Sequence, residues 1–102
     1  MGKSKITIPK EKIEQFCKRN NITKLSLFGS VLGDEFSAGS DVDVLVEFAP
    51  GKEPGFIRLS RMERELSEIL GGRKVDLVTE QFLNRRIRDR VLAQAEVQYA
   101  QR

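Results

Sequence analysis

The stretch from Leu27 to Phe48, LFGSVLGDEFSAGSDVDVLVEF, decides how the chain is read. An apolar run ends in Gly29-Ser30, and after ten more residues Asp41-Val42-Asp43 opens a second run. Val42, Val44 and Val46 alternate with Asp43, Leu45 and Glu47, the period of two of a strand with one face in a core. On such a strand Asp41 and Asp43 share a face with Cα atoms about 6.5–7 Å apart, so their carboxylates converge on one point. Two carboxylates in a partly dry pocket repel each other, and a divalent cation relieves that repulsion. Magnesium suits such a pair, because it prefers oxygen ligands and is commonly completed by substrate phosphates and water.

Asp76, inside Lys74-Val75-Asp76-Leu77-Val78, joins the pair if its strand lies beside residues 42–48, since neighbouring strands run about 4.8 Å apart. Three carboxylates in one cleft match a two-metal phosphoryl or nucleotidyl transfer, where one ion neutralises the triphosphate and the other lowers the pKa of an attacking hydroxyl. Gly29-Ser30 supplies the complementary half. A glycine lets phosphates approach the backbone, and the adjacent hydroxyl with a following short helix over 30–36 makes an anion seat.

Working outward, Pro9 precedes an amphipathic helix over 10–20 with Ile13, Phe16 and Cys17 on one face. Thr23 to Phe28 reads as a strand, residues 49–54 as a loop, and Leu59, Met62, Leu66, Ile69 and Leu70 as the stripe of a long helix stopped by Gly71-Gly72. Residues 73–79 read as a third strand. Thr79 then precedes a second long helix with Phe82, Leu83, Ile87, Val91, Leu92 and Ala95 on its buried side. The expected architecture is α/β in the α+β sense, a small mixed sheet with helices packed against it. Phe16, Phe28, Phe48, Phe56 and Phe82 are expected in the core or at its edge, Cys17 in packing, and Tyr99 in a loosely ordered C-terminal segment.

With 102 residues the chain is expected to form one domain over 1–102 around one modest core. One cysteine and no histidine exclude an intrachain disulfide and the familiar His/Cys zinc spacings, so any metal here is held by oxygen. The absence of a signal-peptide core or a membrane-length apolar run points to a cytoplasmic location and no membrane contact. Charge is uneven: net +5 over residues 1–24, −5 over 25–54 and +3 over 55–102, so an acidic sheet segment sits between basic flanks able to meet a nucleotide or nucleic acid. Arg85, Arg86, Arg88 and Arg90 read as a solvated face or as contacts to an acidic partner or RNA. Arg58, Arg61 and Arg64 read as surface pairing with Glu63, Glu65 and Glu68.

The pattern G-S-x10-D-x-D, with LSLF before it, VLVEF after it and the later VDLV, resembles the minimal nucleotidyltransferases of the DNA polymerase β-like superfamily from about Ile13 to Ala95. The resemblance implies that fold, with Gly29 and Ser30 holding the triphosphate and Asp41, Asp43 and Asp76 acting as catalytic, metal-binding carboxylates for two magnesium ions with ATP as substrate. It also implies the antitoxin of a pair whose partner is a helical HEPN toxin, silenced by transfer of AMP to a tyrosine and held in a complex with it. The alternative is a non-catalytic antitoxin that neutralises its partner by steric contact. The family often reads Gly-Ser-Arg-Ala-Arg-Gly, whereas Ser30 here is followed by Val31-Leu32-Gly33-Asp34. A replacement cation is expected from Lys24, from the arginines of the last helix or from a partner chain.

Overall fold

The computed structural model describes residues 6, 8–33, 39–80 and 83–101, with the Ser30 side chain excepted. The first helix, α1 (Lys10–Arg19), is followed by β1 (Ile22–Phe28), a 3-10 turn (Gly29–Leu32) and β2 (Val42–Phe48). Then come α2 (Phe56–Ile69), β3 (Val75–Thr79), α3 (Arg85–Gln94) and β4 (Glu96–Ala100). The four strands form one mixed sheet in the order β3-β2-β1-β4. β1 pairs antiparallel with both β2 and β4, while β2 and β3, joined through α2, run parallel.

The core lies where α1 and α2 cover the sheet. Ile13, Phe16 and Cys17 of α1 and Met62 and Leu66 of α2 are buried against Leu25, Leu27, Val42, Val44, Val46 and Leu77. The valine alternation in β2 therefore points where its period predicts. Burial pushes the Cys17 thiol up to about 12, which suits packing rather than reactivity. α2 ends as its glycines require: Gly71 and Gly72 take φ +83° and +87°, and their N–H groups donate to the carbonyls of Glu68 at 3.2 Å and Ser67 at 2.8 Å. That pair of bonds is a Schellman cap.

The structure corrects the sequence reading in several places. The expected helix over 30–36 is a single 3-10 turn through Leu32, and residues 34–38 lie outside the described residues. The last helix begins only at Arg85, and its apolar stripe is not buried: Ile87 and Leu92 are 44% and 38% exposed, Val91 is half-buried, and Ala95 caps the helix. Phe82 lies outside the described residues. The C-terminal segment forms β4, which places a half-buried Tyr99 beside Leu25 and against the core. Phe56 is 83% exposed, outside the core that holds Phe16 and is edged by Phe48. Glu65 pairs with Arg19 of α1 at 2.5 Å, and Glu63 accepts the Leu77 N–H at 2.8 Å, so these two carboxylates tie α2 to its neighbours rather than to its own arginines.

Candidate active site

Strand register brings the aspartates together. Asp43, the second residue of β2, faces Phe28 at the end of β1 on one side and Asp76 of β3 on the other. Asp43 and Asp76 are thus direct cross-strand neighbours, about 4.8 Å apart between Cα atoms, while Asp41 sits two residues before Asp43 at the strand's entrance. Asp41 and Asp76 are exposed and Asp43 is half-buried. Desolvation holds the Asp43 carboxyl above the ordinary aspartate range, and the charges of Asp76 and then Asp41 raise it further.

The Gly29 turn closes the fourth side. Gly29 follows Phe28, takes φ +78°, and lies so close to β2 that an added Cβ would collide with Asp43 Oδ2 and stand 3.2 Å from its Cγ. Only glycine satisfies both conditions, the left-handed backbone and the missing side-chain space. Gly29 is therefore a direct neighbour of the Asp43 carboxylate. Ser30 continues the same turn, with its side chain outside the described residues. Val31, which follows it, is completely buried, so the position after Gly-Ser serves the core.

Two of the cations expected to replace the missing arginines lie away from the Gly29 turn. Lys24 pairs with Glu47 in mid-sheet, about 16 Å of strand away from Gly29. Arg88 of α3 lines a cavity of about 410 Å³ with Val46, Glu47 and Thr79, at the ends of β2 and β3 opposite the aspartates. A larger cavity of about 500 Å³ runs between α2 and the outer edge of β3, from Asp76 to Thr79, over Phe48, Leu59 and Leu77. The sequence reading missed this groove. Its signal was Phe56-Ile57 directly after the 49–54 loop, ahead of the α2 stripe that begins at Leu59.

The donor set around Asp43 consists of carboxylate oxygens, and the like charges that raise Asp43 are those a hard divalent cation would neutralise. Among the described residues no three His, Cys, Asp or Glu side chains are already arranged to hold a metal ion. The aspartates are gathered by the sheet but do not form a closed cage. No helix among the described residues is long and apolar enough to cross a membrane.

Comparison with known proteins gives the family. The nucleotidyltransferase domain model matches residues 10–98. The chain is 36% identical over 86 residues to a Methanocaldococcus jannaschii protein named "Putative protein adenylyltransferase MJ0435", covering 84% of this chain and 89% of that one. A solved structure described as a "putative minimal nucleotidyltransferase" superposes with a TM-score of 0.69 at 35% identity, over 84% of this chain and 85% of that chain. A chain from the complex of tri-AMPylated Shewanella oneidensis HEPN toxin with MNT antitoxin shares the fold, with a TM-score of 0.65 at 22% identity, over 89% and 69% of the two chains. With Asp43 set between Gly29 and Asp76 and the family pattern running through nearly every element of the sheet, the chain belongs to the nucleotidyltransferase domain family.

Proposed function

We propose that the chain is a magnesium-dependent protein adenylyltransferase that moves AMP from ATP to a tyrosine of a partner HEPN-type toxin and so acts as its antitoxin. The observation that carries this reading is the register of Asp43 with Asp76 beside the Gly29 turn. Asp41 and Asp43 would hold magnesium on the nucleotide side, with Asp76 as the third carboxylate. Magnesium, when bound, neutralises the triphosphate and makes the attacking hydroxyl more acidic. Gly29 and Ser30 hold the triphosphate, because the glycine backbone leaves phosphate oxygens free to approach. Asp76, exposed on the edge strand, orients the acceptor hydroxyl. The product is a phosphodiester joining the acceptor oxygen to adenosine, with pyrophosphate as the leaving group. The name of the 36% identical relative and the AMPylated toxin in the fold neighbour's complex support this choice of acceptor.

Labelled ATP, magnesium and a HEPN-type toxin test it directly. Label is expected on the toxin, and Asp41→Asn or Asp43→Asn should lower transfer by more than the roughly 10- to 100-fold typical of groups that merely support a metal ligand. Transfer unchanged in both variants would reject the reading.

Val31 motivates a second reading. Where the family often carries an arginine after Gly-Ser, this chain buries a valine, which weakens the case for tight triphosphate binding and favours neutralisation by contact alone. In that case Asp43→Asn would leave toxin neutralisation intact while the complex still forms.

A further inference from the structure

We propose that the groove between α2 and β3 is the acceptor's docking site, and that it takes a polypeptide segment presenting an aromatic hydroxyl flanked by basic side chains. This inference rests on the assignment of Asp76 to the acceptor side and extends it to the kind of acceptor. Three observations converge on the groove. Asp76 lines one end and Thr79 the other, about 10 Å along β3, so an extended segment laid along this edge spans from Thr79 to the residue that neighbours Asp43. The floor is apolar, formed by Phe48, Leu59 and Leu77, and at about 500 Å³ it falls in the range of small-molecule sites. At its mouth the first turn of α2 exposes Phe56 and Ile57, 83% and 77% respectively, far more than any other large apolar side chain among the described residues. Such a patch beside a groove marks a contact surface.

Charge selects the occupant. Among the described residues the lining carries three carboxylates, Glu53, Glu63 and Asp76, and no base. A polyanionic nucleotide is repelled there, whereas an aromatic residue between lysines or arginines meets apolar floor and acidic rim together. The Thr79 hydroxyl adds a polar cue, since Thr79 is 9% exposed and its Oγ1 is buried without a hydrogen-bond partner. In the reaction so placed, the acceptor oxygen bonds to the α-phosphorus of ATP, the bond from that phosphorus to the bridging oxygen breaks, pyrophosphate leaves with the electron pair, and the hydroxyl proton passes to solvent or to the Asp76 carboxylate.

The test uses the full chain, isotopically labelled, with the blocked peptides Arg-Tyr-Arg and Glu-Tyr-Glu and with magnesium ATP as separate probes. Arg-Tyr-Arg is expected to shift the amide resonances of Leu59, Ser60, Leu77 and Thr79 and to bind at least about tenfold more tightly than Glu-Tyr-Glu, the factor a single unfavourable charge contact readily supplies. Phe56→Ser, a change at an exposed position, should raise the peptide Kd several-fold and leave the ATP response unchanged. Shifts that map elsewhere, no shifts at all, or equal binding of the two peptides would overturn the proposal. So would ATP moving the same amides and displacing the peptide, which would give the groove to the adenine. Binding is read without turnover, so a chain that binds Arg-Tyr-Arg in the groove yet transfers no AMP keeps the docking site and loses only the enzymatic reading.

Discussion

The sheet has two edges, and the chain finishes them differently. At one edge β3 lies under α2: Val75, Leu77 and Thr79 are buried, and the outward Leu77 N–H is taken by Glu63 of the helix. At the other edge β4 has no buried residue and leaves Val97 47% exposed, and α3, which leads into it, buries nothing. Both helices are amphipathic in sequence. An apolar stripe therefore shows which side of a helix seeks cover, but cover depends on whether the connections let the helix lie across the sheet. α2 spans the parallel crossover from β2 to β3 and must pack on the sheet between them. α3 is joined to β4 through Ala95 alone and is held at the margin.

The largest expected effect tests that contrast. Leu66→Ala in α2 empties a site that is 0% exposed and should cost about 2–5 kcal/mol, the usual range for a buried leucine. Leu92→Ala in α3 should stay within about 0.5 kcal/mol, as exposed substitutions do, helped by alanine's helix propensity. Chemical denaturation of the two variants measures both. Comparable losses would mean that α3 is packed as firmly as α2, and the contrast between the edges would disappear.

Legibility in the sequence followed the same division. The β2–β3 edge could be read because its signals are local and agree: valines at a period of two, a glycine pair at the helix end, and aspartates at matching strand positions. The neighbourhood of Asp43 and Asp76 followed from one conditional, that the two strands are adjacent, and the register meets it. What sequence could not supply was distance in the fold. It offered Lys24 as a phosphate contact although mid-sheet pairing holds it far from Gly29, and it treated Phe56 as core because an aromatic at a helix start looks the same whether it packs inward or stands in solvent. The far edge was misread for a different reason. Val97 and Tyr99 do alternate with Glu96, Gln98 and Ala100, but with only Ala95 between helix and strand there was no turn signal to separate them. The helical stripe stops at Ala95, where the helix is capped, and it is the strand beyond that goes unread.

A smaller effect separates the edges by what starts their helices. Asn84 caps α3 by accepting the Arg86 N–H at 2.7 Å, whereas Gly55 at the start of α2 makes no side-chain cap. With no burial to hold it, α3 relies on that cap, so Asn84→Ala should cost about 1 kcal/mol and increase amide exchange through Arg85–Gln94. Gly55→Ala should leave exchange through α2 nearly unchanged, because Met62 and Leu66 anchor that helix.

The smallest effect carries the most information, because its sign is the test. The β2–β3 edge is the better packed, and burial there, reinforced by the like charges of Asp76 and Asp41, holds Asp43 above the ordinary aspartate value of 3.8. A carboxyl with a raised pKa in the folded state binds its proton more tightly there than in the unfolded chain, so its contribution to stability falls as pH rises from 3.8 through the raised value. Above that interval the charged Asp43 is a net cost, and Asp43→Asn should melt slightly higher than the parent chain near neutral pH while losing its advantage in acid. Magnesium should close the gap by raising the parent's melting temperature more than the variant's, since a cation held by Asp43 stabilises only the folded state that holds it. Thermal unfolding of both chains from about pH 3.5 to 7, with and without magnesium, reads the sign. A lower melting temperature for Asp43→Asn at neutral pH without magnesium would mean that the carboxylate is satisfied within the fold, and the proposal that its unrelieved charge calls for a metal ion would lose its footing.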